Sequence, residues 1–254
     1  NDMSATMLSG KAIAEPIKAE VRGEVADLME IHGVKPCLAV VRVGDDPASA
    51  VYVGSKVRTC EELGMASEHR HLDASALQEE VMAAVDEFNS RTDVDGILVQ
   101  LPLPKQIDER AILERVDPLK DVDGFHPMNS GRLMQGRESL VPCTPAGVIE
   151  ILKRSKIEIA GRHAVVVGRS NIVGKPMAML LLHENATVTV CHSRTRDLGA
   201  ITRQADILVA AIGRAGFICG EHIGDGATVI DVGINNVTDT DAVGVLFPDS
   251  EAER

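Results

Sequence analysis

A tyrosine and a lysine four residues apart, Tyr52 and Lys56, are the side chains of this 254-residue chain best placed to do chemistry. The stretch around them, Ala-Ser-Ala-Val-Tyr-Val-Gly-Ser-Lys-Val-Arg, reads as a helix, so the phenol and the ammonium stack on one face. A flat ring beside an amine that burial can strip of its proton suits two tasks, holding a planar heterocycle and moving protons on it. The ordinary alternative is a half-buried ring beside a solvated lysine stem. What lifts the pair above that alternative is its setting. The apolar run Cys37 to Val43 and the turn cluster Gly44-Asp45-Asp46-Pro47 come just before it, so both residues lie in the first turns of a helix that follows a strand. Ligands of open α/β sheets sit at the carboxyl ends of strands.

The elements that must position this pair alternate along the chain. Lys11 to His32 has helical spacing and is closed by Gly33, and Ala50 to Leu63 is helical and closed by Gly64. Ser75 to Asn89 is a further helix, with Ser75 as N-cap and Glu79 near the third position of its first turn. The run Asp95-Gly-Ile-Leu-Val-Gln-Leu is a buried strand stopped by Pro102 and Pro104. These are βα units of a parallel sheet. Gln100 closes its strand beside apolar neighbours and needs a partner there, which the Lys56 amine could be. In the following turn, Lys120-Asp-Val-Asp-Gly-Phe-His-Pro, Asp123 could accept hydrogen bonds from an amino-substituted ring. Turn formation alone would explain one of Asp121 and Asp123.

A polar, Gly- and Pro-rich tract from Pro118 to Pro145 interrupts the alternation and divides the chain, with residues 1–143 on one side and 144–254 on the other. Beyond it, Thr144-Pro145 opens a helix that reaches about Arg154. His163 to Val167 then runs as a strand into Gly168-Arg-Ser-Asn-Ile-Val-Gly174-Lys-Pro, followed by a helix from Met177 to His183. A strand, a glycine turn and a helix make a phosphate cradle, because amides at a helix start face the anion. The glycine fingerprint is loose, since Ser170 stands at the middle glycine position and the last glycine is displaced by one. The next strand, Thr187 to Cys191, ends in His-Ser193-Arg194-Thr-Arg196 where a NAD-specific fold would offer an acid. Arginine forks suit the 2′-phosphate of NADP, and Arg169 could reach the same region; a solvated arginine rim is the competing view. Asp206 to Ala211 and Thr228 to Val232 continue the sheet.

Composition narrows the function classes. A net charge of −12 argues against nucleic acid or an anionic membrane surface as the main partner. With neither a charged leader and apolar h-region nor an apolar run of spanning length, a soluble cytoplasmic chain is expected. Five scattered cysteines without a C-x-x-C pair are expected to be reduced and structural. His69 and His71 flank Arg70 on a strand and share a face, but with no third ligand nearby in sequence they are not read as a metal site, and no metal is expected.

Six ordered strings, Y-V-G-S-K, D-G-I-L-V-Q-L-P-L-P, K-D-V-D-G-F-H-P-M-N-S-G-R-L, P-C-T-P-A-G-V, G-R-S-N-I-V-G-K-P and V-I-D-V-G-I-N, resemble the bifunctional methylenetetrahydrofolate dehydrogenase/cyclohydrolases. The match spans about Leu8 to Asn235. The resemblance implies an α/β protein of two domains: a βα catalytic, folate-binding domain and a Rossmann-like NADP-binding domain, with a cleft between them, usually as a homodimer. It gives Lys56 the central catalytic role and Tyr52 a place beside the folate ring. Gln100 would orient and tune Lys56, Leu101 would line the substrate site, and Asp123 would anchor the pterin. Gly168, Arg169, Ser170, Ile172, Ser193, Arg194 and Ile234 match cofactor positions. The implied reaction moves hydride from 5,10-methylenetetrahydrofolate to NADP, then opens the methenyl product with water to 10-formyltetrahydrofolate. A monofunctional dehydrogenase and a folate-binding protein without turnover stay open beside it. A short-chain dehydrogenase also carries Tyr-x-x-x-Lys, but there the glycine turn precedes the pair, whereas here it follows by more than a hundred residues. The family usually continues into a Pro-Gly-Gly-Val-Gly-Pro segment and a last helix. The Val243 to Phe247 stretch is read as the approach to that segment.

Overall fold

A computed structural model of the chain describes residues 5–233, which divide after Cys143 into two compact units. In the first unit, helix α1 (Gly10–His32) leads to strand β1 (Cys37–Val43), helix α2 (Pro47–Leu63) and strand β2 (Ala66–Leu72). Helix α3 (Gln78–Ser90) and strand β3 (Gly96–Val99) follow, then two short helices, α4 (Glu109–Leu113) and α5 (Pro127–Met134). The strands are parallel, in the order β2-β1-β3. Central β1 is covered on both faces, which is why it reads as a nearly unbroken apolar run. On one face Ala39, Val41, Ile97 and Val99 pack with Val81, Val85 and Phe88 of α3. On the other, Val40 and Leu98 meet Val53 and Val57 of α2, and each such aliphatic burial contributes about 1.5–3 kcal/mol.

The second unit repeats the logic. Helix α6 (Cys143–Arg154) opens it, followed by strand β4 (His163–Val167), helix α7 (Gly174–His183) and strand β5 (Thr187–Cys191). Helix α8 (Leu198–Thr202), strand β6 (Ile207–Ala210), a three-residue 3-10 turn (Gly220–His222) and strand β7 (Thr228–Asp231) complete it. Its strands are parallel too, ordered β5-β4-β6-β7. Among the described residues no helix is long and apolar enough to cross a membrane.

Several helix starts differ from the sequence expectation, each for a local reason. Helix α2 begins at Pro47 rather than Ala50, because the Asp46 carboxylate accepts the Ser49 N–H at 2.7 Å and Pro47 fits the first helical position. Helix α3 begins at Gln78, not Ser75. The Ser75 N–H and hydroxyl are both spent on Asp73 Oδ1, and it is Glu80, not Glu79, that reaches back to accept the Leu77 N–H. Helix α6 begins at Cys143, two residues before Pro145, and α7 begins at Gly174, three residues before Met177. Helix α5 sits inside the tract that looks structureless in sequence, started by His126, whose ring accepts the Met128 N–H, and by Pro127.

Candidate active site

In the first sheet the chain leaves β1 for β2 on one side, then crosses to β3 on the other. The carboxyl ends of β1 and β3 therefore flank a topological switch point, where open α/β sheets bind ligands. Gln100 is the first residue beyond β3, its N–H bonded to Val41 O at 2.8 Å. Alternation sends Ile97 and Val99 to the α3 face and leaves Leu98 and Gln100 on the α2 face. Lys56 lies between Val53 and Val57, the two α2 residues packed over that face. The outcome is a hydrogen bond from Lys56 Nζ to Gln100 Oε1 at 3.2 Å. The other end of the amide is held as well, with Gln100 Nε2 donating to Leu101 O at 2.7 Å, and the Leu101–Pro102 peptide is cis. One half-buried amide thus satisfies a donor and an acceptor at once. Tyr52, one helical turn before Lys56, keeps 43% of its surface exposed, so its ring is available to a ligand.

The turn after Lys120 divides its two aspartates by role. Ile97 N–H bonds Lys120 O at 2.6 Å, which lays the segment beside β3. Gly96 leaves room for this, since a Cβ there would come within 2.5 Å of Val122 Cγ1. Asp121, 4% exposed, accepts the His126 N–H and the Asn129 amide at 2.8 and 2.9 Å, and so works as a structural tie. Lys120 is structural too, its ammonium capping the end of α3 at the carbonyls of Phe88, Asn89 and Arg91. Asp123 has no such duty. Burial pushes its carboxyl up to about 6, with Asp121 adding to the rise and the Lys56 ammonium opposing it. It is therefore ionised at pH 7 but close to taking a proton.

Gly124 has φ +64, and a Cβ there would lie 2.8 Å from Leu140 O and Val141 Cα. This close crossing brings Cys143 to the turn, with its Sγ 3.7 Å from Val122 O. Partial desolvation at the surface pushes the Cys143 thiol up, and Asp123 pushes it the same way against Lys56. The thiol thus stays protonated at neutral pH and is a poor nucleophile. The cysteines are free as expected, but Cys143 and Cys219 are exposed rather than core residues, unlike Cys37, Cys60 and Cys191. Sequence reasoning missed Cys143 as a neighbour of the lysine. The Pro-Cys-Thr-Pro string was its signal.

In the second sheet the switch point lies between β4 and β6. Gly168 and Ala211 are the first residues beyond those strands. A Cβ on Gly168 would meet Ala211 O at 2.2 Å, and one on Gly174 would meet Gly168 O at 2.3 Å. Both glycines are thus required by close backbone approach. The Ser170 hydroxyl accepts the N–H groups of Val173 and Gly174 at 3.1 and 3.3 Å, closing the turn from within. Among the described residues the amides of 169–172 have no internal acceptor, and Arg169, Ser170 and Ile172 are exposed at the mouth. The β4 and β5 register pairs Val167 with Cys191, and Gly168 N–H bonds Cys191 O at 2.9 Å, so the two strand ends lie side by side. There His192 N–H bonds Thr195 Oγ1 and Thr195 N–H bonds His192 O, a turn that presents Ser193 and Arg194 to solvent. The nearest following acid, Asp197, is spent on capping α8 at Ala200. Free amides, a crowded glycine turn and exposed arginines fit a phosphorylated dinucleotide. Ile234 lies outside the described residues.

Comparison with known proteins covers both halves of the chain. The family model for the tetrahydrofolate dehydrogenase/cyclohydrolase catalytic domain matches residues 8–123, and the model for its NAD(P)-binding domain matches residues 142–252. The bifunctional protein FolD of Halalkalibacterium halodurans is 55% identical over 235 residues, 92% of this chain and 84% of that protein. A crystal structure of the bifunctional FolD methylenetetrahydrofolate dehydrogenase/cyclohydrolase from Campylobacter jejuni superimposes with a TM-score of 0.89 at 45% identity, covering 92% and 83% of the two chains. The Trypanosoma brucei dehydrogenase-cyclohydrolase, solved with NADP and an inhibitor, gives 0.88 at 40% identity, covering 92% and 81%. The chain belongs to the tetrahydrofolate dehydrogenase/cyclohydrolase family.

Proposed function

We propose that this chain oxidises 5,10-methylenetetrahydrofolate to the methenyl form and then hydrolyses that cation to 10-formyltetrahydrofolate. The observation that carries the reading is the Lys56 ammonium held on the Gln100 amide at 3.2 Å at a sheet switch point. Gly168, Arg169, Ser170, Ile172, Ser193 and Arg194 would hold NADP, which would supply the hydride acceptor; Ile234 belongs to the same proposed set.

The chain's own residues bind, orient and move protons. Asp123 accepts hydrogen bonds from the amino-substituted pterin with its ionised carboxylate, Tyr52 lies against the ring, and Leu101 lines the substrate site. In the hydrolytic step, water adds to the methenyl carbon and loses one proton. A second proton moves from the new hydroxyl to N5 as the C–N5 bond breaks, which leaves the formyl group on N10. Lys56 is the group that mediates these transfers, an effect worth roughly 10²- to 10⁴-fold. Gln100 positions it. The Lys56–Gln100 bond favours this reading over a dehydrogenase without hydrolysis. A homodimer in the cytoplasm is part of the same reading, supported by the family resemblance.

The test is to give the protein methylenetetrahydrofolate with NADP, and separately with NAD, following reduced nicotinamide and the methenyl chromophore together. Nicotinamide reduction without methenyl build-up is expected. Methenyl accumulating one for one with reduced nicotinamide would leave a monofunctional dehydrogenase.

A further inference from the structure

Away from the residues assigned above, the 3-10 turn after β6 gathers three metal-ligating side chains of different kinds within four residues: Cys219, Glu221 and His222. Their donor atoms all lie within 4.8 Å of one another, and Cys219 Sγ is 3.2 Å from His222 Nδ1. We propose that this turn is a binding site for a thiophilic divalent transition metal of the zinc class.

The argument rests on the donor set and on how it is held. A thiolate, an imidazole and a carboxylate together suit zinc-like ions, and three protein ligands with an open fourth position taken by water is a stable arrangement. Hard ions such as magnesium and calcium choose oxygen ligands instead. A tetrahedral ion with bonds of ~2.3 Å to sulfur and ~2.0 Å to nitrogen needs those two donors ~3.6 Å apart, so the observed pair has to open by only a few tenths of an ångström. His222 Nδ1 also accepts the Cys219 N–H at 3.4 Å, a long bond that an ion taking the same lone pair would displace.

The backbone beneath the ligands is fixed by its neighbours. Arg203 donates from Nη1 to Glu221 O at 2.9 Å. Gly224 packs so close to α8 that a Cβ there would meet Arg203 O at 2.3 Å. His222 Nδ1 faces the sulfur while its ring stacks with Phe217 at 6.3 Å between centroids, and Arg214 lies over Phe217 at 4.9 Å. These contacts hold the backbone and the ring in place before an ion arrives. Because Cys219 and Glu221 are exposed, an ion can enter without local unfolding.

The test is titration of the apo protein with Co²⁺ and with Zn²⁺, without folate or nicotinamide, so that the answer is independent of the proposed activity. One Co²⁺ per chain is expected to bind with a thiolate-to-cobalt charge-transfer band, displaced by one equivalent of Zn²⁺. Cys219→Ser should abolish the band, and His222→Ala should weaken binding at least tenfold, a loss of about 1.4 kcal/mol. Both variants should melt as the parent does when metal-free, since neither residue is in the core. A band that persists in Cys219→Ser, or cobalt binding equally weak in the parent and both variants, would overturn the proposal.

Discussion

The Lys56 ammonium and the Gln100 amide meet at 3.2 Å across 44 residues of sequence because Lys56 adjoins Val57 and Gln100 follows Leu98 by two residues on the same face, beside the contact between Leu98 and the valines of α2. The Gln100 N–H₂ group is occupied by Leu101 O at 2.7 Å, so the carbonyl end of the amide has to face the lysine. A hydrogen bond of this charged type contributes about 1.5–3 kcal/mol. Here that energy holds a flexible four-carbon amine in one place.

Replacing Gln100 tests whether the amide tunes chemistry or merely packs. In Gln100→Leu the amine loses its acceptor while the side-chain volume is nearly kept. Methenyl hydrolysis should fall at least tenfold, with the dehydrogenase step less affected. The check is hydrolysis of preformed methenyltetrahydrofolate beside nicotinamide reduction by the same variant. Equal losses in both steps would point to a packing role.

Asp123 makes a pH prediction with a definite sign. Its carboxyl is raised from the ordinary value to about 6, so folded protein holds a proton between pH ~4 and 6 that the unfolded chain has released. Stability on this account falls as pH rises through that window. Asp123→Asn should therefore stabilise the apo protein at pH 7 by about 1 kcal/mol, less than the full linkage value because the group keeps some solvent and loses its attraction to Lys56. The same change should raise the KM for folate by roughly 10- to 100-fold, as a charge-assisted acceptor is lost. In the parent enzyme kcat/KM should drop as pH falls below 6. Thermal melts at pH 7 and pH 4, beside a KM series, decide it, and an Asn variant that is less stable at pH 7 would contradict the assignment.

Gly168 and Gly147 form a contrasting pair. Gly168→Ala places a methyl group 2.2 Å from Ala211 O at φ +140. It should cost more than ~2 kcal/mol and abolish NADP binding. Gly147, inside α6 with nothing within 4 Å of its would-be Cβ, should become more stable as alanine by about 0.5–1 kcal/mol. Chemical denaturation of the two variants separates a required glycine from an incidental one.

Arg194 tests cofactor choice. It is exposed on the turn after β5, where the nearest following acid, Asp197, caps α8 at Ala200. Arg194→Ser should raise the KM for NADP about tenfold or more while leaving that for NAD nearly unchanged. Equal changes for both would remove it from 2′-phosphate recognition.

The strands were the most legible part of the sequence. β1, β4 and β5 occupy the expected residues because a parallel strand buried on both faces leaves a short β-branched run bounded by turn residues. Helix starts were less legible, because Asp46, Asp73 and Glu80 compete locally for nearby amides, and spacing cannot say which of them wins. The lysine–glutamine contact was readable because a polar residue closing an apolar strand needs a partner. Which aspartate of the turn is structural was not readable, since it depends on Asn129, eight residues on, folding back to Asp121. Cys143 was missed because its approach to Val122 depends on the crossing of residues 140–141 over Gly124.

The measurement closest to the centre of this account is hydrolysis of preformed methenyltetrahydrofolate by Lys56→Met, a side chain of similar length without the amine. Lys56 is half-buried and bonded to Gln100 rather than part of the core, so the variant should fold and still bind folate. The account predicts a fall in the enzymatic hydrolysis rate of roughly 10²-fold or more, with methenyl accumulating during NADP reduction. Hydrolysis at the parental rate would contradict it.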